Sequence, residues 1–402
     1  MTETVSSKTA GAPPRIAELL ELRAAAGERF FTSQAPRLAQ LCHRMAERFA
    51  AGGRLLALGQ SPQARSDARH VAVEFVHPVI VGKRALPALA LSGEGGPLAA
   101  QLRLAAEPGD IVVSLDATPL GPARQLGCLT AAFHAHSGAE WELVPAGADP
   151  FVAQEIVEVA YHILWELVHV FFEHRGLLEG RTARPIHDTG ASSFLYPFLA
   201  ERETGADEVL ADVRRSVLTK ARETAALRGQ TLTDAAEELD DAAAALRQRL
   251  DAGGRLLALG NGGSATDAAD AVADMRLPPG ETWPPRPALD LTEDAGILTA
   301  IANDIGTDAL FSRQIIAHGG ELDILLAFST SGTSANVVAA LVEARRRGLL
   351  TIAMVGYDGG AIAAQRLADH VVVSRSEYIP RIQEAQASAW HVLRELVEQP
   401  SG

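Results

Sequence analysis

The chain has 402 residues, 47% hydrophobic and 21% charged, enough to bury two cores. Its formal net charge of -14 argues against nucleic acid as a direct partner, and no apolar run reaches the length of a membrane span. Residues 1–13 lack the apolar centre of a signal peptide, and Cys42 and Cys128 have neither metal nor redox spacing, so a reducing cytoplasm is the expected setting. Residues 14–51 read as helical, first IAELLEL and then PRLAQLCHRMAERFAAGG. Ala51–Gly59 (AGGRLLALG) follows, a glycine turn running into an apolar strand. The same nine residues recur at Ala252–Gly260, an offset of 201, which marks a duplicated domain. The first copy continues as GQSPQARSDARHVAVEF. A second strand pattern, Asp110–Leu115, runs into Asp116-Ala117-Thr118-Pro119-Leu120-Gly121, where a carboxylate and a proline suit phosphate poorly. Residues 152–173 form an amphipathic to apolar helix. Residues 176–205 read as a connector whose SSFLYPFL part packs on a domain. Helices over 206–226 and 230–251 lead into the second copy, and a last helix covers 381–398. The expected organisation is therefore a tail (1–13), a divergent copy (14–175), the connector (176–205) and a second copy (206–398).

The second copy carries the most chemistry. Its Ile324–Phe328 run reads as a buried parallel strand that ends in Ser329-Thr330-Ser331-Gly332-Thr333-Ser334, with a helical pattern (ANVVAALVEARRRG) behind it. Hydroxyls where a strand meets a helix N-terminus favour an anion, because free backbone N–H groups and the positive end of the macrodipole converge there. An ordinary Ser/Thr-rich helix cap explains a single such loop equally well. A second loop of the same kind, Leu256–Leu259 into Gly260-Asn261-Gly262-Gly263-Ser264 and a helix from Ala265, tips the balance toward a phosphate cradle.

Together with LTAIANDIGTDALFSRQI (Leu298–Ile315), GYDGGAIA (Gly356–Ala363) and RIQEAQASAWHVL (Arg381–Leu393), these loops resemble the sugar isomerase (SIS) domain family, in its phosphoheptose isomerase branch, over residues 206–398. Each copy is then expected to be a five-stranded parallel sheet with helices on both faces, an α/β fold of the flavodoxin-like kind. The resemblance implies a phosphorylated sugar as ligand, held by Asn261, Gly262, Gly263, Ser264, Ser329, Thr330, Ser331 and Ser334, with Asn303, Asp304 and Gln383 at sugar-contact positions. Asn303-Asp304 before Ile305-Gly306 is also good turn chemistry.

His70 and Glu74, four apart on a predicted helix, share one face, as do Gln154 and His162, eight apart. Spacing alone fits a solvated face and a core histidine as readily as a metal site. The zinc-dependent phosphoheptose isomerases carry a His and a Glu, and a Gln and a His, at these spacings. The resemblance therefore implies zinc at His70, Glu74, Gln154 and His162, with Glu74 as base and His162 as acid. In the second copy the matching positions are Asp270, Asp274, Gln383 and His391, with Asp274 and His391 as the alternative acid–base pair. The first copy lacks the phosphate loops and the second has an altered metal set, a division that suggests composite sites between the copies. The implied reaction is aldose–ketose isomerisation of a sugar phosphate, sedoheptulose 7-phosphate to a heptose 7-phosphate. A sugar-phosphate-binding regulatory or assembly protein without catalysis, or an isomerase of another phosphosugar, also fits these residues. No nucleotide cofactor is implied, and the family's tetramers imply a homo-oligomer, a dimer of two-domain chains.

Overall fold

The computed structural model describes residues 14–79, 83–94, 96–173, 206–280 and 282–398. The tail at 1–13 and the connector at 176–205 lie outside the described residues. The elements of the first half are α1 (Pro14–Ala50), β1 (Leu55–Leu58), α2 (Pro62–Val76), β2 (Ala88–Leu91), α3 (Leu98–Ala105), β3 (Ile111–Ser114), α4 (Gly121–Leu126), β4 (Leu129–Ala132), β5 (Trp141–Glu142) and α5 (Pro150–Glu173). In the second half come α6 (Ala206–Asp234), α7 (Ala236–Asp251), β6 (Leu256–Leu259), α8 (Gly263–Arg276), β7 (Ala288–Asp290) and α9 (Ala295–Asp304). They are followed by a 3-10 turn at Thr307–Ala309, then α10 (Ser312–His318), β8 (Ile324–Ser329), α11 (Ala335–Arg346), β9 (Leu350–Gly356), α12 (Gly360–Ala364), β10 (His370–Ser374) and α13 (Ile379–Glu398).

Each half holds one five-stranded, all-parallel sheet, in the orders β2-β1-β3-β4-β5 and β7-β6-β8-β9-β10. Counted within each half, both follow the order 2-1-3-4-5, so the chain direction across the sheet reverses between the first and third strands. Ligands of such sheets bind at that reversal, outside the carboxyl ends of the strands. The strands are apolar throughout because both faces are covered. Leu256 and Ala258 face a core completed by α7, α8 and α13, while Leu257 and Leu259 face one completed by α10 and α11. In the first sheet, Leu56, Leu58 and Val112 pack on Leu98 and Leu102 of α3 and Ala123 of α4.

The repeated nonapeptide does the same structural work twice. The Arg54 backbone N–H and guanidinium bind Asp110 at the foot of β3 (2.9 and 2.7 Å), and those of Arg255 bind Asp323 at the foot of β8 (3.0 and 3.3 Å). A Cβ on Gly53 would lie 2.4 Å from Gly109 O, and one on Gly254 2.1 Å from Leu322 O, so only glycine admits these turns.

The chain forms two compact units that do not divide at the connector. The first unit comprises residues 26–149, 156–173 and 206–222, around the β1–β5 sheet. The second comprises 14–25, 150–155 and 223–398, around the β6–β10 sheet. Ile16, Leu19 and Leu20 of α1 belong to the second unit's core with Leu239 and Trp390. Residues 14–50, within the stretch read as helical, are one helix with Pro36 inside it. One helix boundary differs from the sequence reading: the break after α6 falls at Ala235, because Gly229 is accommodated within the helix. Among the described residues no helix is long and apolar enough to cross a membrane.

Candidate functional site

The loops after β6 and β8 flank the strand reversal of the second sheet. Gly262, at φ +58°, precedes α8, and Ser264 in its first turn is buried. The Asn261 side chain exchanges two hydrogen bonds with Asn336 in the first turn of α11, both 2.9 Å, so the two loops are clipped together. Ser329 Oγ accepts from the Gly332 N–H (3.1 Å) and Ser331 Oγ from the Thr333 N–H (3.2 Å). Ser334 is the N-cap residue of α11 but makes no side-chain cap bond. Gly332 sits at φ +63°, and a Cβ there would lie 2.2 Å from Gly359 O. The Ile362 N–H donates to Gly332 O (3.1 Å). The glycines of the GYDGG segment therefore let its backbone brace the hydroxyl loop.

In the first unit the equivalent loop is arranged differently. Asp116 Oδ2 accepts from the backbone N–H groups of Gln60 and Ser61 at the entrance of α2, the latter at 3.1 Å, and Oδ1 accepts from Thr118 Oγ1 (2.7 Å). Ser61 Oγ caps α2 through the Ala64 N–H (3.3 Å). The N-terminus of α2 thus already holds an anion of its own chain.

The second unit's acid–base positions lie in a buried network. Asp274 is fully buried, accepts from Trp390 Nε1 (2.9 Å) and stands 3.6 Å from His391 Nε2. His391 Nδ1 lies 2.9 Å from Glu155 Oε1, and its ring stacks on Phe151 with centroids 4.2 Å apart. Glu155 also binds Arg23 (2.9 Å), Arg228 (3.4 Å) and Ser388 (2.7 Å). Burial alone would raise the Glu155 carboxyl; Arg23, Arg228 and His391 outweigh it and hold the group well below the usual carboxylate range. An ionised Glu155 only accepts, so His391 Nδ1 carries the proton and Nε2 faces Asp274.

The first unit holds a second buried cluster, between α2 and α5. His70 Nε2 lies 3.3 Å from His162 Nε2 and 3.9 Å from Glu74 Oε1. Tyr161 Oη is 3.0 Å from His70 Nδ1 and 3.5 Å from Asp67 Oδ1. His70, Glu158 and His162 each offer a ligand atom within 4.8 Å of the others. Glu166, on the same helix, pairs with Lys220. Glu74 Oε2 is buried with no hydrogen-bond partner among the described residues. Burial pushes the Glu74 carboxyl up to about 7; His162 opposes the rise and Glu166 adds to it. Two histidine nitrogens and a carboxylate, buried and within 4.8 Å of one another, are a donor set of the kind zinc takes, so the residues fit zinc.

The SIS domain profile matches residues 221–356. A phosphoheptose isomerase from Solidesulfovibrio magneticus is 40% identical over 184 residues, 46% of this chain and 89% of that protein. The chain belongs to the SIS domain family. A phosphoheptose isomerase from Chlorobaculum tepidum is 46% identical over 153 residues, 37% of this chain and 72% of that protein. Among solved structures, the C-terminal domain of glucosamine-fructose-6-phosphate aminotransferase from Francisella tularensis matches with a TM-score of 0.56 and 11% identity, covering 97% of each chain. This likeness bears on the fold of both SIS-like halves.

Within the SIS frame, the structure brings Asn261, Gly262, Gly263 and Ser264 beside Ser329, Thr330, Ser331 and Ser334, through paired β6 and β8. Asn303 and Asp304 end α9, exposed and bonded to each other (2.8 Å). Gln383 is buried in the first turns of α13. Gln154 and His162 share α5, but Gln154 falls in the part that belongs to the second unit. Sequence reasoning passed over Asn336, Glu155 and Glu158. Asn336 closes the quoted STSGTSAN stretch, and Glu158 stands four residues before His162, the spacing already used for His70 and Glu74.

Proposed function

We propose that the protein is a sugar-phosphate aldose–ketose isomerase that converts sedoheptulose 7-phosphate to a heptose 7-phosphate. The observation that carries this reading is the pair of loops clipped by Asn261 and Asn336 at the strand reversal of a sheet closely related to phosphoheptose isomerases. Backbone N–H groups and hydroxyls there hold the phosphate. In the reaction a base takes one C1 hydrogen as a proton and the C2 carbonyl oxygen gains one, giving the enediol. Return of a proton to C2, with loss of one from the C1 hydroxyl, leaves the aldehyde. Glu74 is proposed as the base, because its carboxyl is pushed up to about 7, near the optimum for proton transfer at neutral pH. His162 is its proposed partner, and Asp274 with His391 is the alternative pair. A divalent metal, when bound, polarises the carbonyl and stabilises the enediolate.

A second reading, sugar-phosphate binding without turnover, draws on the burial of Asp274 and His391 under Trp390 and Phe151. The test is isomerisation of sedoheptulose 7-phosphate by zinc-reloaded protein, with His162→Ala and His391→Ala compared. Turnover lost only in His162→Ala supports the first pair, and turnover lost only in His391→Ala supports the second. Tight binding of the sugar phosphate by calorimetry without turnover overturns the isomerase in favour of a binding protein.

A further inference from the structure

We propose that the metal centre of the first unit is a two-histidine, one-carboxylate site whose carboxylate is Glu158, with Tyr161 and Asp67 as positioning residues for His70. The position expected from the sequence is instead Gln154. The choice rests on helix geometry. Glu158 precedes His162 by four residues, so both side chains leave α5 on one face about 6 Å apart along the axis, whereas Gln154 is about 12 Å away. On α2, His70 and Glu74 repeat the spacing in reverse order, and the two faces meet. The ligand atoms of His70, Glu158 and His162 already lie within 4.8 Å of one another.

The two Nε2 atoms are 3.3 Å apart, near enough for one to donate to the other when no cation lies between them. That separation matches the edge of a tetrahedron whose centre is about 2.0–2.1 Å from each nitrogen, the zinc–imidazole distance. Tyr161 donates toward Asp67, which leaves its oxygen to accept from the Nδ1–H of His70. In the tautomer with the proton on Nδ1, His70 Nε2 carries the lone pair and Tyr161 gives the supporting contact that metal-bound histidines require. The buried Glu74 Oε2, without a partner among the described residues, adds negative charge beside the site.

The proposal deepens the isomerase reading, but its test does not depend on turnover. Full-length protein is stripped with chelator and titrated with zinc. Bound zinc is counted by elemental analysis, and cobalt(II) is used as a spectroscopic substitute. The expected result is one metal per chain in the wild type and in Gln154→Ala, with the absorption of tetrahedral cobalt. Glu158→Ala and Glu158→Gln should lose zinc affinity by about 100-fold or more, and Tyr161→Phe by about 10- to 100-fold. Melting of each stripped variant separates ligand loss from misfolding, since Glu158→Gln keeps the side-chain volume. Wild-type affinity in Glu158→Gln, loss of zinc in Gln154→Ala, or no zinc in the wild type overturns the proposal. Zinc held through Glu158 in a protein without turnover sinks the isomerase and leaves the centre standing, and turnover without zinc does the reverse.

Discussion

Replacing Asp116 tests whether the first unit's helix entrance is filled by the chain itself. The carboxylate accepts two backbone N–H groups at the start of α2 and the Thr118 hydroxyl. A buried hydrogen bond to a charged group contributes about 1.5–3 kcal/mol, and a negative charge at a helix N-terminus about 0.3–1 kcal/mol. Gln60 and Ser61 are exposed or nearly so, and water replaces part of what is lost. Asp116→Ala should therefore destabilise by about 1–2 kcal/mol, and Asp116→Asn, which keeps an acceptor oxygen without the charge, by about half of that. For a unit of this size the Ala variant should melt about 2–8 °C lower. The sharper assay is Asp116→Gly in rising inorganic phosphate. With the tethered anion gone, phosphate should bind the vacated N–H groups and raise the melting temperature of the variant more than that of the wild type. An unchanged melting temperature in Asp116→Ala, or identical phosphate responses in Asp116→Gly and wild type, refutes the reasoning.

The other predictions use the same bookkeeping. Glu155→Gln takes the carboxylate from buried Arg228 and one of two from Arg23, which keeps Glu395, and should cost about 3–5 kcal/mol, read by urea denaturation, whereas Arg23→Met combined with Glu155→Leu should recover part of it. Gly332→Ala forces a Cβ against Gly359 O at a positive φ, so sugar-phosphate affinity by calorimetry should fall by tenfold or about that, for a strain of about 1–3 kcal/mol. Asn336→Ala removes the clip between the loops and should raise KM for the sugar phosphate by about five- to tenfold, with a smaller effect on kcat. Burial tends to raise the Asp110 carboxyl, but the hydrogen bonds from Arg54 lower it overall. Its contribution is therefore full above the unfolded value near 4 and is lost as pH falls through the lower folded value. Asp110→Asn should be less stable than wild type at pH 7, with the gap closing in denaturant melts as pH falls below the unfolded value near 4.

Elements defined by local pattern were legible in the sequence. The apolar runs Leu256–Leu259 and Ile324–Phe328 are strands, because burial on both faces removes alternation and leaves a continuous signature. The two hydroxyl and glycine loops were readable for the same reason: strand, turn and helix start lie within a dozen residues. The nonapeptide repeat showed two comparable halves, and the structure adds that it closes each sheet through Arg54–Asp110 and Arg255–Asp323.

Contacts between distant segments were decided only by tertiary structure. Nothing in SPQARSD foretells that Gln60 and Ser61 receive the carboxylate of Asp116, and nothing near Glu155 foretells two arginines from α1 and α6. Glu155 is one charge on an apolar helix, yet folding removes it from water, and an anion so placed must recruit cations from elsewhere in the chain. The helix boundaries behave likewise. Pro36 and Gly229 are local breakers that a long packed helix absorbs, since burial of the neighbouring Ala35, Leu38, Leu227 and Leu232 outweighs about 1 kcal/mol of unfavourable glycine propensity and about 3 kcal/mol of proline propensity. Sequence determined what each segment is, because that depends on neighbours within a few residues. Only the fold decided which charges meet, because a buried charge is satisfied by whatever the chain brings to it from far away.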